Sequence, residues 1–89
     1  MSERDQLNDL VESLKQERDE LKLRMHLAGM EVRDEYERLS GRVSELNAQF
    51  EPVREATEDA AGNVFAALML AADEMKNGFQ RIRQAVKDS

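Results

Sequence analysis

The chain has no cysteine and no tryptophan, one histidine, one proline, four glycines and only 4% aromatic residues among 89 positions. Each shortage removes a class of protein. Without cysteine there is no disulfide framework and no thiolate chemistry. One Ile and one Thr leave a sheet short of β-branched residues. The longest apolar run, Val64 to Ala72, is nine residues, where a membrane-spanning helix needs about 20. Met1-Ser2-Glu3-Arg4-Asp5 is charged and leads into no apolar signal core. These features predict a protein of the cytoplasm with no transmembrane segment. Basic character is also missing. Net charge is −6, with eight Lys/Arg against twelve Asp/Glu in residues 1–50 and five against seven in residues 51–89. Binding to nucleic acid relies on cations displacing counterions from phosphates, so no nucleic-acid partner is expected.

What is present is helix-forming: Ala, Leu, Glu, Arg, Lys, Gln and Met dominate. Apolar positions recur in steps of four and three, the spacing of a coiled-coil seam. The first run is Leu7, Val11, Leu14, Arg18, Leu21, Met25, Ala28 and Val32. An extra step of four leads to Tyr36, Leu39, Val43, Leu46, Phe50, Val53, Thr57, Ala60 and Val64, and a second to Leu68, Ala72, Met75, Phe79, Ile82 and Val86. Inserted steps of four read as stutters, which straighten a supercoil. Glu20–Arg24 and Asp34–Arg38 place acid four residues before base on the outer face. Ser2 is a candidate cap for the first helix, and Arg81, Arg83 and Lys87 suit the end of the last.

The sequence therefore predicts one all-α domain over residues 1–89, with a long helix at about 3–50, a break within 50–63, and a C-terminal helix at about 63–87. Pro52 and Gly62-Asn63 are the two candidate breaks, and a single kinked rod is the third model. Folding back at the break gives a coiled-coil helical hairpin. Gly29, Gly41 and Gly78 read as tolerated interior glycines. Residues 64–72 are apolar on every face, which one partner helix cannot cover. That predicts completion as an oligomeric bundle, a homodimer or tetramer. Its core and interface would be Leu7, Val11, Leu14, Leu21, Met25, Val32, Tyr36, Leu39, Val43, Leu46, Phe50, Val64, Leu68, Met75, Phe79 and Ile82. Arg18 at a seam position weakens a tight parallel zipper. Phe65, Leu68, Met69, Met75 and Phe79 form a flexible apolar surface, read first as a self-association core and second as a groove for a helix of another protein.

Chemistry finds little support. His26 has Leu23 and Gly29 three residues away on either side, not the Glu of a di-iron helix motif. Met30 lies one turn on, and the His26–Met30 pair reads as packing. Glu31, Asp34, Glu35 and Glu37 splay around a helix and read as a solvated face. Serines at 2, 13, 40, 44 and 89 have no histidine base in a recognisable motif, and no Gly-rich phosphate loop exists. Neither catalysis nor a cofactor is expected. Glu31, Asp34, Glu35, Arg81 and Arg83 form a candidate partner surface.

The stretch Glu20-Leu21-Lys22-Leu23-Arg24-Met25-His26-Leu27-Ala28-Gly29-Met30-Glu31-Val32-Arg33-Asp34-Glu35-Tyr36 resembles a segment of small, functionally uncharacterised bacterial coiled-coil proteins. There a His-Leu pair precedes an acidic/Arg segment and an aromatic residue. Ala72-Asp73-Glu74-Met75-Lys76-Asn77-Gly78-Phe79-Gln80-Arg81-Ile82-Arg83 is similar to their C-terminal helix. The resemblance covers about half the chain and implies no activity, and Pro52 departs from its pattern.

The functional expectation is a non-enzymatic structural or interaction protein, a self-associating coiled-coil scaffold or adaptor. The alternative is a peripheral protein whose residues 64–86 lie in a lipid interface near the cations Lys76, Arg81, Arg83 and Lys87. A nucleic-acid-associated role using the same cations stands third.

Overall fold

The structure, a computed structural model, describes residues 3–87, so the candidate cap at Ser2 lies outside it. The described residues are all helical or in connections, with no strand among them. Helix α1 spans Glu3–Lys22, α2 spans Met30–Phe50 and α3 spans Glu58–Lys87. Short 3-10 turns at Met25–Leu27 and Glu51–Val53 lie in the two connections.

Three helices, not a two-helix hairpin, pack side by side. Helix α1 runs antiparallel to α2: Tyr36 Oη donates to the Arg18 carbonyl at 2.7 Å, and Arg18 donates to Ser44 Oγ at 3.4 Å. Helix α2 runs antiparallel to α3, with Phe50 against Phe65 at one end and Tyr36 against Phe79 towards the other, ring centroids 6.4 Å apart in each pair. That leaves α3 parallel to α1, which the ion pairs of Arg83 with Glu17 and Glu20, both 3.4 Å, confirm. The molecule measures 46 × 20 × 17 Å. Its radius of gyration is 14.2 Å, against about 12 Å for a compact domain of this length. Helix α3, with 30 residues, sets the long axis.

The first reversal corrects the expectation of one helix over 3–50. Helix α1 closes at Lys22, a cation where the helix dipole favours one. Amide-to-carbonyl bonds from Arg24 to Leu21, Leu27 to Arg24 and Ala28 to Met25 then tighten the chain. Gly29 is the N-cap of α2, extended at φ −71° and ψ 170°. It has no side chain to cap with, and its carbonyl accepts from the Arg33 amide at 3.0 Å. Met25 and Ala28 turn inward and close that end of the core.

The second reversal occupies residues 51–57. Pro52 falls in the first turn of a 3-10 segment, where its missing N–H costs little. Thr57 Oγ1 accepts from the Ala60 amide at 3.3 Å and caps α3. Ala61, at φ −136° and ψ 17°, kinks α3 just before Gly62.

Each helix contributes one stripe to a common core: Leu7, Val11, Leu14 and Leu21 from α1; Tyr36, Leu39, Val43, Leu46 and Phe50 from α2; Ala61, Phe65, Leu68, Ala72, Met75, Phe79, Ile82 and Val86 from α3. The α3 stripe is an unbroken four–three alternation. The stutter read between Val64 and Leu68 is therefore absent: Phe65 is fully buried and Val64 is 43% exposed. The stutter read at Val32–Tyr36 follows directly on the Gly29 reversal. Gly78 is not a loosening glycine either. A Cβ there would meet Leu39 Cδ1 at 2.7 Å, so its hydrogen lets α2 and α3 approach.

Candidate interaction surfaces

Of the interface positions expected from the seam, most lie inside the chain's own core. Leu7, Val11, Leu14, Leu21, Met25, Tyr36, Leu39, Val43, Leu46, Phe50, Leu68, Met75, Phe79 and Ile82 are buried by the other two helices, Val32 is half-buried, and Val64 is exposed. A second copy cannot reach the buried ones without unfolding the bundle. The sequence pattern located most of the core, which the chain's own three helices supply. Phe65, Ala61 and Ala72 complete that core.

The charged positions divide. Arg81 bonds Glu35 at 3.5 Å across α2 and α3, and Arg83 clamps Glu17 and Glu20 across α1 and α3. With Arg42–Glu74 at 3.3 Å, these pairs stitch helices together at the rim, each contributing about 0–1 kcal/mol at such exposure. Glu31 and Asp34 are exposed on the first turns of α2 and line an open depression with Glu35, Glu37 and Arg38. Among the described residues no group of three His, Asp or Glu is placed to hold a metal ion. His26 is exposed and its Nδ1 lies 2.9 Å from the Leu23 carbonyl, while Met30 points to solvent.

Two apolar surfaces remain uncovered among the described residues. The first is the outer face of α3 in its first half. No charged residue occurs from Ala60 to Ala72, and the face turned from the core carries Val64, Ala66, Ala67 and Leu70, all exposed. Leu70 is 69% exposed. Beside it Ala66, Met69 and Leu70 form the apolar side of a groove whose α1 side is Glu3 and Gln6. The second is the connection between α1 and α2, where Leu23, Leu27 and Met30 are 76%, 59% and 78% exposed. Sequence reasoning missed this surface, because a continuous helix would have presented those residues as scattered outer positions. The signal for it was the Gly29 reversal together with three apolar side chains in eight residues.

No helix among the described residues is long and apolar enough to cross a membrane. The chain matches no family model, no curated protein and no solved structure.

Proposed function

We propose that the chain is a non-enzymatic interaction protein, a self-associating coiled-coil-type scaffold whose bundles pair through the outer face of α3. The observation that supports this reading is the charge-free strip Val64, Ala66, Ala67 and Leu70 on the outside of a bundle whose core is already filled. Scattered exposed apolar residues are ordinary, but a contiguous strip is a protein contact or an aggregation hazard. Small Ala66 and Ala67 let a second helix lie close, and Leu70 supplies a side chain to insert beside them. A symmetric pairing uses the same strip twice, so every contact counts double. The groove bounded by Gln6 and Met69 is the corresponding seat for a helix from another protein.

The apolar face of 64–86 is turned into the bundle through Phe65, Leu68, Ala72, Met75, Phe79, Ile82 and Val86. Laying that stretch in a lipid interface would require the bundle to open.

Solution mass by light scattering tests the proposal. The expected result is a dimer or tetramer that Leu70→Asp converts to a folded monomer. Burying a leucine contributes about 1.5–3 kcal/mol, and two copies are lost per symmetric interface, so association should weaken by about two to four orders of magnitude. A monomer for the unaltered chain at high concentration, or an unchanged mass for Leu70→Asp, would sink the proposal. Leu68→Asp is no substitute: Leu68 is 6% exposed, and a carboxylate there unfolds the chain itself.

A further inference from the structure

We infer that two copies of this chain exchange α1 when they refold at high concentration, by straightening the connection between Lys22 and Met30 into helix. The product is a dimer that contains the closed bundle's core twice. The observation that carries this is the phase of the core stripe across the reversal. Leu21, Met25, Ala28 and Val32 follow steps of four, three and four straight through the connection. Met25 and Ala28 are buried there and Val32 is half-buried. From Met25 to Tyr36 is eleven residues, three full turns at about 3.67 residues each. On one continuous helix over 3–50 the stripes of α1 and α2 therefore share a face. A permanent reversal needs no such agreement.

The backbone of this turn holds nothing that forbids helix. Met25–Leu27 already form a 3-10 turn, and Arg24 lies in the right-handed helical region at φ −99° and ψ −4°. Ala28 and Gly29 are extended, with ψ of 150° and 170°, yet their φ values of −94° and −71° lie close to those of a helix. Gly29 does not use positive φ, and no proline lies between residues 22 and 30. Neither Arg24 nor Gly29 supplies a side-chain cap. A continuous helix would give the first amides of α2 and the last carbonyls of α1 their missing partners. The second connection differs. Pro52 lacks the N–H that a continuous helix needs there, and Thr57 caps α3. Exchange therefore selects α1 and leaves α2 and α3 paired as they are.

The occupant is a second copy, because the seat is the place of α1 itself. Two straightened chains run antiparallel about a two-fold axis at the connection, and α1 of each lies on α2 and α3 of the other. That axis puts both α3 helices on one side of the long pair. Each long helix must then present a single apolar face along its whole length, which is the requirement the phase meets. The bond from Tyr36 to the Arg18 carbonyl and the pairing of Arg83 with Glu17 and Glu20 recur between copies. Leu23, Leu27 and Met30 fall on the opposite face of the straightened helix and take no part. Both forms bury the same core, so concentration decides between them. The short connection 23–29 holds α1 at an effective concentration on the order of millimolar. Chains that fold well below it close on themselves, and chains that refold near or above it exchange. This inference stands independently of pairing through the outer face of α3.

The test is refolding from urea of Leu70→Asp, which removes that pairing, at about a thousandth of the effective concentration and at about its value, followed by sizing with light scattering. The expected result is monomer from the dilute sample and a dimer fraction from the concentrated one. Glu12→Cys and Glu45→Cys, both exposed on the antiparallel α1 and α2, carry spin labels in an excess of unlabelled chain. The distance within a chain should be short in the monomer and about 50 Å in the dimer, the run from residue 12 to residue 45 along one helix. Gly29→Ala should raise the dimer's association constant at least about 15-fold, since a better helix former enters twice and its Cβ meets nothing within 4 Å in the closed bundle. Gly29→Pro suits the closed bundle, where φ is −71° and Ala28 is extended, but breaks a continuous helix. It should refold to monomer alone at either concentration, with unchanged helical circular dichroism. No dimer from the concentrated sample, a dimer whose intrachain distance stays short, or a dimer formed as readily by Gly29→Pro would overturn the inference.

Discussion

Replacing Phe65 by Ala should cost far more stability than replacing its neighbour Val64. The two residues are adjacent, and a four–four spacing through Ala60, Val64 and Leu68 competes with a four–three spacing through Ala61, Phe65 and Leu68. In the bundle Phe65 is fully buried with its ring tilted against Phe50, whereas Val64 is 43% exposed. Phe→Ala at a buried site costs about 3–5 kcal/mol. A domain of 89 residues has about 4–13 kcal/mol in total. Val64→Ala removes two methyl equivalents worth about 0.8 kcal/mol each when fully buried, and only about half of that applies here. The better helix propensity of Ala recovers about 0.5 kcal/mol, leaving a net change near zero. Urea unfolding followed by far-UV circular dichroism reads both variants, at a protein concentration where light scattering reports one species. Equal losses, or a larger loss for Val64→Ala, would refute the register of α3.

Gly41→Ala should stabilise by about 0.5–1 kcal/mol, because a Cβ there meets nothing within 4 Å and glycine is a poor helix former. Gly78→Ala should fall short of that gain by at least about 1 kcal/mol, since its Cβ would press on buried Leu39 and overpacking costs about 1–3 kcal/mol; thermal unfolding of the pair measures the difference. Tyr36→Phe should cost about 1 kcal/mol by removing the 2.7 Å bond from its hydroxyl to the Arg18 carbonyl. A loss no larger than about 0.2 kcal/mol in urea unfolding would mean that water replaces the bond without penalty.

The helical class and most of the core were legible because two of the three stripes stand alone against polar backgrounds. Leu7, Val11, Leu14 and Leu21 are separated by polar residues apart from Leu10, and Tyr36 through Phe50 are separated mainly by Glu, Arg, Ser, Asn and Gln, so only one face of each could be apolar. The first half of α3 lacked that contrast. From Ala60 to Ala72 nothing is charged, so the pattern carried no phase, and packing chose Phe65 because it fills the space opposite Phe50. The reversal at Gly29 was hidden for a different reason. Leu23 to Ala28 are helix formers, and a single glycine is no stop signal by itself. Its trace was the extra step of four at Val32–Tyr36, read as a stutter when the chain in fact turns around. With the turn unseen, the interaction surfaces were misassigned. Residues that close one chain's core were expected to be shared with a second copy, Met30 was read as packing although it is exposed, and the exposed pair Leu23 and Leu27 went unremarked.

The reversal at Gly29 is what lets a single chain close its own core, and a distance between two spin labels tests it most directly. The chain has no native cysteine, so Asp5→Cys and Glu55→Cys label cleanly. Both positions are exposed and line one depression with Asn8 and Phe50. In protein diluted with unlabelled chains, electron–electron resonance should give a single short intrachain distance. A continuous helix over 3–50 would instead place residue 5 about 68 Å from residue 50, at 1.5 Å per residue. A distance near that value would contradict the three-helix bundle and everything argued from its surfaces.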